Sequence, residues 1–254
     1  MDINERRRQI TEILSVPGYV TVEELAQKLN VSSVTIRSDL TALEKTGALV
    51  RTHGGAMSAE KKSTARLLSE TMTEYGKQKK AIAARAAGFI TEGSTIIVDS
   101  GSTTVHLLEY VSGKNITVVT NSIPAVDRLK EDPSVEVFII GGSLKRSYMG
   151  TIGPLANNAM SLLNVDVYFM GAANYNKDGI TSTNLMEAEL KRAMMKAADK
   201  VVFLADSSKY GRKAFASLCP WDEIDAFVTD SIDADFRAYL EDKGIEVLTA
   251  AIPE

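Results

Sequence analysis

Between Thr21 and Ala56 the chain reads TVEELAQKLNVSSVTIRSDLTALEKTGALVRTHGGA, and its apolar residues fall into two helical phases separated by a polar turn. Thr21 and Glu24 stand three apart, as a capping box requires. Val22, Leu25, Ala26 and Leu29 then recur on one helix face. Asn30 breaks the run, Ser32 or Ser33 caps a second helix reaching about Lys45, and Gly47 is its stop. Ile36, Leu40 and Leu43 share the inward face of that helix. At about 100° per residue the opposite face carries Val34, Ser38, Thr41 and Lys45, flanked by Thr35 and Arg37. Upstream, Glu5 to Val16 predicts a helix with Ile10, Ile13 and Leu14 inward and Arg6, Arg7 and Arg8 outward, stopped by Pro17-Gly18. Downstream, Ala48 to Arg51 and Thr52 to Gly55 read as two arms of a small wing.

Helix, turn, helix and wing in this order predict a winged helix-turn-helix, which lays its second helix in the DNA major groove. The candidate DNA-contacting residues are Ser33, Val34, Thr35, Arg37, Ser38, Thr41 and Lys45 on that helix. Arg51 and His53 on the wing are placed near phosphates. A merely solvated helix would show the same outer face; the preceding helix, the turn and the wing favour DNA. Arg6 to Arg8 admit a plain solvated charge run as well.

From Gln78 onward the pattern changes. Met57 to Lys80 is polar and charged and reads as a linker, helical near Thr64 to Tyr75. Lys79 to Ile90 predicts a helix with Ile82, Ala83, Ala86, Phe89 and Ile90 inward. Apolar runs follow at Thr95–Val98, Ile116–Thr120, Val135–Ile140, Val165–Met170, Lys200–Ala205, Ala226–Thr229 and Glu246–Leu248. Helical stretches lie near 103–112, 122–131, 154–163, 187–198 and 234–243. Such alternation predicts an α/β domain with a mainly parallel sheet. The expected organisation is a DNA-binding domain at 1–57, a linker at 58–77 and an α/β sensor domain at 78–254.

Composition narrows the function. Apolar residues make up 44% of 254, enough for two cores. The single Cys219 excludes an internal disulfide. Two histidines, His53 and His106, make a metal site unexpected, and no cofactor motif is present. No run reaches transmembrane length and no signal-peptide pattern opens the chain, so no membrane partner and a cytoplasmic location are expected. The net charge of −4 is uneven: residues 1–80 hold 13 Lys/Arg against 10 Asp/Glu, while residues 81–254 hold 16 against 23. The basic surplus lies beside the DNA-binding element, as attraction to phosphate requires. It is small, so operator DNA is expected to be bound by a homodimer or homotetramer.

In open α/β sheets ligands bind beyond the carboxyl ends of the strands. Those ends read Asp99-Ser100-Gly101-Ser102-Thr103-Thr104, Thr120-Asn121-Ser122, Gly141-Gly142-Ser143, Gly171-Ala172-Ala173-Asn174 and Asp206-Ser207-Ser208-Lys209. Small hydroxyl, amide and glycine residues with a lysine form an anion cradle. The candidate effector-binding residues are Asp99, Ser100, Gly101, Ser102, Thr103, Thr104, Asn121, Gly141, Gly142, Gly171 and Lys209. Any one loop could be only a cap or turn; five on one edge favour a pocket for a small, polar, phosphorylated ligand. No dinucleotide, Walker or nucleophile-elbow motif occurs.

The string VTIRSDLTALEKTGALVRTHGGA resembles the N-terminal domain of DeoR-type bacterial transcriptional regulators. Ser38 stands where that family carries a second basic residue, on the outward face, which points to a different operator preference. The strings TIIVDSGSTT (95–104), TNS (120–122), GG (141–142), MGA (170–172), DGIT (178–181) and ADSSK (205–209) are similar to the C-terminal sensor domain of the same family. That resemblance implies a fold like ribose-5-phosphate isomerase and a phosphorylated sugar or sugar alcohol as effector. The isomerases carry acids in a Gly-Ala-Asp-Glu segment; Met170-Gly171-Ala172-Ala173-Asn174 lacks them, which implies that binding is kept and proton transfer lost. Glu187, Glu189 and Lys191 lie near the pocket, or else Glu187 and Lys191 form an exposed i,i+4 pair. The resemblance implies a repressor of a carbohydrate-utilisation operon, not an enzyme. The alternatives are a sugar-phosphate isomerase or lactonase fused to a DNA-binding domain, and an architectural DNA binder, which would need no ligand site.

Overall fold

The computed structural model describes residues 2–15, 20–46, 48–52, 54–58 and 68–252. The chain divides into two compact units, Met1–Thr64 and Ala65–Glu254.

In the first unit, α1 (Ile3–Ser15) is followed by the short β1 (Val20–Thr21), α2 (Val22–Leu29), α3 (Ser33–Lys45), β2 (Leu49–Thr52) and β3 (Gly55–Ser58). The capping box forms: the Thr21 hydroxyl accepts from the Glu24 N–H, and the Glu24 carboxylate accepts from the Thr21 N–H. Asn30 ends α2 in the left-handed region at φ 52°, where a short polar side chain is tolerated. Ser32, not Ser33, is the cap of α3, its hydroxyl accepting from the Thr35 N–H at 3.1 Å. Ile10, Leu14, Leu25, Ile36 and Leu40 are buried together as one core. Strands β1, β3 and β2 form an antiparallel sheet.

Two expectations need correction here. Thr52 pairs with Gly55, so Thr52 ends the first arm of the wing and the second arm is Gly55–Ser58; Gly54, at φ 90°, supplies the backbone turn that pairing needs. Nor do Arg6 and Arg7 point outward. Their Nε atoms donate to the two oxygens of the buried Asp39 of α3, at 2.6 and 2.9 Å. Asp39 faces the core between Ile36 and Leu40, and a buried carboxylate must be paired. Arg8 alone is outward, bonded to Glu5 and Glu12. The stops expected of Pro17-Gly18 and Gly47 lie outside the described residues.

The second unit begins with α4 (Leu68–Thr73), inside the stretch expected to be linker, and α5 (Gly76–Ala86), which starts three residues before the expected Lys79. Lys79 is buried, its ammonium donating to the carbonyls of Thr71 and Glu74, so it ties α5 to the end of α4. A short 3-10 turn, Ala87–Phe89, replaces the last expected helical turn. There follow β4 (Thr95–Val98), a 3-10 helix at Thr104–Tyr110, β5 (Ile116–Thr120), α6 (Ile123–Leu129) and β6 (Val135–Ile139). A two-stranded hairpin comes next, β7 (Ser143–Lys145) and β8 (Gly150–Ile152), then α7 (Pro154–Met160) and β9 (Val165–Met170). The chain continues through β10 (Asn174–Asn176), β11 (Gly179–Ser182), α8 (Leu185–Ala197), β12 (Ala198–Leu204), β13 (Ala216–Cys219), β14 (Ala226–Thr229), α9 (Ala234–Asp242) and β15 (Glu246–Thr249).

Seven strands form one sheet in the order β15-β14-β12-β9-β4-β5-β6, and every pair is parallel. The expected fold class, a winged helix-turn-helix followed by a mainly parallel α/β domain, is therefore observed. Alternate residues of each strand feed two cores. Ile97, Tyr168, Met170, Phe203 and Phe227 pack with α7, α8 and α9 on one face; Ile96, Val98, Phe169, Val202 and Val228 pack with α5 on the other. The sequence pattern did not foretell the antiparallel sheet β10-β11-β13. Sheet order reverses between β4 and β9: β5 and β6 are added on one side of β4, and β9, β12, β14 and β15 on the other. In open α/β sheets the ligand crevice lies at such a reversal, outside the carboxyl ends of the strands.

Removing Asp39 should loosen the first unit from within α3. Asp39→Ala leaves Arg6 without its buried partner, and breaking such a pair costs about 3 kcal/mol. Amide exchange across α3 should accelerate by about a hundredfold; unchanged rates would show that the ion pair does not hold α3.

Candidate functional site

The loop after β4 enters the crevice with Asp99, which is 1% exposed. A carboxylate this deep requires donors on every side, and it has them. The Gly101 N–H (2.9 Å) and the Thr104 hydroxyl (2.6 Å) donate to one oxygen. The Gly171 N–H (2.9 Å), the Tyr168 hydroxyl (3.4 Å) and the Lys191 ammonium donate to the other. Burial alone would raise the Asp99 pKa; the Lys191 charge and the hydrogen bonds outweigh it and hold it below the usual carboxylate range. Burial would likewise lower the pKa of Lys191, but Asp99 and Glu187 hold it above the usual lysine value. Glu187 lies 3.7 Å from Lys191 and accepts from the Ser182 hydroxyl at 2.7 Å.

This overturns the exposed-pair reading of Glu187 and Lys191: Lys191 is 4% exposed and faces the crevice, while Glu189 is exposed. Lys191 was readable in principle. It stands with Ala188 and Met195 on the buried stripe of α8, where a charged residue needs a buried partner.

Beside Asp99, the Asn121 amide donates to the Thr151 carbonyl at 2.8 Å and reaches the Ser100 hydroxyl at 3.5 Å. Ser102, Thr103 and Thr104 are buried. The Thr103 Oγ1, Asn121 Oδ1 and Tyr148 hydroxyl are buried without a hydrogen-bond partner among the described residues. Lys209 donates to the Ala172 carbonyl at 2.9 Å, and the protein packed around its ammonium lowers its pKa. The structure thus brings together Asp99, Ser100, Gly101, Thr104, Asn121, Gly171 and Lys209. It adds Tyr148, Tyr168, Ser182, Glu187 and Lys191, which were not singled out as ligand residues.

Glycine at 101 is required by this packing. A Cβ there would lie 2.9 Å from Asp99 Oδ1 and 3.0 Å from Thr104 Oγ1. Gly142 is explained differently: at φ 151° its Cβ would lie 2.7 Å from the Ile152 carbonyl, so the β7–β8 hairpin itself demands glycine. Gly141 and Gly142 are both exposed, and a Cβ on Gly141 would meet nothing within 4 Å. The helix expected at 103–112 is the 3-10 helix Thr104–Tyr110, with the Val105 N–H bonded to the Gly101 carbonyl. An anion here would meet the loop hydroxyls rather than the dipole of a long helix. Two cavities, of about 100 Å³ and 370 Å³, lie elsewhere, the first against Tyr175, Tyr210 and Phe236 and the second against Ile180, Arg192 and Lys213.

On α3, Val34 is 72% exposed, and Arg37, Ser38 and Lys45 are exposed on the same side. Ser33, Thr35 and Thr41 are half-buried. Thr35 shares a hydrogen bond with Ser32 at 2.9 Å, and Arg37 lies 3.9 Å from Glu23. Arg51 reaches back from β2 to donate to the Thr41 hydroxyl at 2.8 Å, while its N–H donates to Glu44. The wing and the outer face of α3 therefore form one surface. His53 lies outside the described residues. No group of metal-binding side chains occurs among the described residues, and no described helix is long and apolar enough to cross a membrane.

Comparison with known proteins matches both halves. Residues 6–62 match the DeoR-like helix-turn-helix domain, and residues 74–231 match the DeoR C terminal sensor domain. The HTH-type transcriptional regulator GlpR of Haloferax volcanii is 36% identical over 247 residues, covering 96% of each chain. The lactose phosphotransferase system repressor of Staphylococcus epidermidis is 30% identical, covering 95% of this chain and 97% of that one. Ribose 5 phosphate isomerase A from Neisseria gonorrhoeae is 24% identical over 52% of either chain, with a TM-score of 0.36.

The Asp99–Lys191 pair gives a test through the single tryptophan, Trp221, whose fluorescence reports on the second unit. Lys191→Met strands a buried carboxylate and should cost ~3–5 kcal/mol in urea unfolding, most of it recovered when Asp99→Asn is added. The lowered Asp99 pKa gives stability that is present above about pH 3.9 and lost as pH falls through the folded value. The raised Lys191 pKa gives stability that is present below about pH 10.4 and lost as pH rises through the folded value. The pair's contribution should therefore be flat between those limits, and the double variant should show a weaker loss at either end. A single variant as stable as wild type would contradict the assignment.

Proposed function

Since the chain belongs to the DeoR family and is a DNA-binding transcriptional regulator, we propose that it represses a carbohydrate-utilisation operon and leaves its operator when a phosphorylated sugar or sugar alcohol fills the strand-end crevice. The observation that carries this reading is the crevice itself, in which buried hydroxyls, two lysines and unpartnered polar atoms converge at the sheet's reversal point. Ser100, Ser102 and Thr103, with the Thr104 backbone and Lys209, hold the phosphate. Asn121, with the backbone at Gly141, Gly142 and Gly171, meets the sugar. Two or four protomers bind together, since one winged domain carries too little positive charge for tight binding.

On the DNA side, Val34, Ser38 and Thr41 face base edges, and Arg37, Lys45 and Arg51 face phosphates. Ser33, Thr35 and His53 flank them. The protein acts as a regulator rather than an isomerase. Asp99, with five donors around it, has no basicity to spare for abstracting a proton. Turnover of pentose or hexose phosphates would decide for the enzyme instead.

Operator titration at several salt concentrations tests both halves. Arg37→Ala or Arg51→Ala should reduce the salt slope by about one, as the loss of one phosphate contact does. Ser38→Ala should shift base preference by ~1–3 kcal/mol. Glycerol 3-phosphate, fructose 6-phosphate and sorbitol 6-phosphate form the effector panel; the one recognised should weaken operator binding by ~5- to 150-fold. Gly101→Val should bind DNA and ignore that compound. A Gly101→Val protein that responds as wild type does would place the effector elsewhere.

A further inference from the structure

The turn between β7 and β8 is fastened on two sides. On one side the Ser147 carbonyl accepts the Leu68 N–H at 2.7 Å, and Leu68, at the start of α4, is buried. Lys79 fixes the far end of α4 through the Thr71 and Glu74 carbonyls. On the other side the Ile123 N–H donates to the Met149 carbonyl at 2.9 Å, and the Thr151 N–H donates to the Asn121 carbonyl at 2.8 Å. The turn therefore joins the strand-end crevice to the first helix of the second unit.

Tyr148 occupies the middle of this turn. A Cβ on Gly150 would lie 2.9 Å from Tyr148 Cδ2 and 2.7 Å from Ser100 Oγ, so the Tyr148 ring and the Ser100 side chain pack against the same glycine of β8. The Tyr148 hydroxyl is buried and has no hydrogen-bond partner among the described residues. Burial, then the charges of Glu187 and Asp99, push its pKa up, so it stays a neutral donor facing the acidic side of the crevice. Leaving such a hydroxyl unpaired costs free energy, which a ligand that pairs it recovers. Nearby, Asn121 Oδ1 can only accept, and it too is unpaired. A fully ionised phosphate has no hydrogen to give it; a polyol hydroxyl does. The unpaired atoms thus ask for the hydroxylated part of an organic phosphate.

Resting on the proposed effector site, we propose that Tyr148 is its specificity-determining residue: its hydroxyl bonds an oxygen of the effector's polyol chain, and the resulting adjustment of the β7–β8 turn is felt at Leu68 through Ser147. Inorganic phosphate fills only the Ser100–Thr104 end and leaves the turn as it was.

The test uses the full chain as wild type and as Tyr148→Phe, with inorganic phosphate and the three organic phosphates as probes. Calorimetry gives affinity, and residue-resolved amide exchange gives the protection of Leu68. Phenylalanine loses no hydrogen bond in the free protein, so Tyr148→Phe should melt no lower than wild type and bind operator equally. It should bind the recognised organic phosphate about tenfold more weakly, bind inorganic phosphate unchanged, and lose the change in Leu68 exchange that the organic phosphate causes in wild type. Equal affinity and an equal Leu68 response in both proteins overturn the role of Tyr148 while leaving the site in place. Weaker binding with the Leu68 response intact overturns the relay. An earlier melt shows that the hydroxyl is already bonded and overturns the premise. No binding of any probe to wild type overturns the site, and the role of Tyr148 with it.

Discussion

A carboxylate with almost no access to water sits where the sheet reverses, and the surrounding structure is arranged to keep it ionised. Asp99 takes donors from its own loop, from the end of β9 and from α8. Those bonds tie the loops that leave the neighbouring strands β4 and β9 to one another and to α8. Desolvating a carboxylate and an ammonium costs several kcal/mol each, and only close pairing with further hydrogen bonds offsets it. The same packing fixes the residue at 101, where a Cβ would strike Asp99 and Thr104. What looks like a glycine-rich ligand loop is first a loop built around an ion pair.

The sheet makes that arrangement possible. All of its pairings are parallel, and its central strands are covered on both faces, which keeps charged side chains out of their middles. On the face that carries α8, the rings of Tyr175, Phe203, Trp221, Phe227 and Phe236 form a network of ring pairs with centroids 5.2 to 6.3 Å apart. This aromatic packing supports the antiparallel strands beyond β9, and the Trp221 indole adds a bond to the Asn176 carbonyl at 2.7 Å. The crevice is thus lined by short, polar elements resting on a rigid apolar base.

Much of this was legible because buried parallel strands are continuous apolar runs. Thr95–Val98, Ile116–Thr120, Val165–Met170 and Ala226–Thr229 are strands with the same ends that the pattern predicts. The strand expected from Lys200 begins at Ala198, because α8 passes into β12 without a loop. Strands β10 and β11 are three and four residues long, and their mixed polar sequence has no period to detect. Charged residues misled for a different reason. Arg6, Arg7 and Lys191 look like surface residues locally, and their partners Asp39 and Asp99 lie 33, 32 and 92 positions away. The strand-end loops were recognisable by composition, but Tyr148 was not: what marks it is the absence of a bond, which only the packed structure reveals.

The internal use of charge in the first unit bears on how regulation can work. Its surplus of basic over acidic residues is small, and Arg6 and Arg7 are committed to Asp39. Arg37, Lys45 and Arg51 remain on the outer surface, with Arg37 3.9 Å from Glu23 and Arg51 bonded to Thr41. Few phosphate contacts per unit mean modest affinity and a modest salt slope for each. In the proposed mode of action, operator occupancy comes from several units acting together, because each additional unit bound on the same DNA multiplies the others' effect. Under that condition the effector need not abolish any single contact. A preference of ~1–3 kcal/mol for the DNA-free form is enough to empty an operator held by individually weak modules, and a rearrangement the size of one tyrosine hydrogen bond can supply a large part of it.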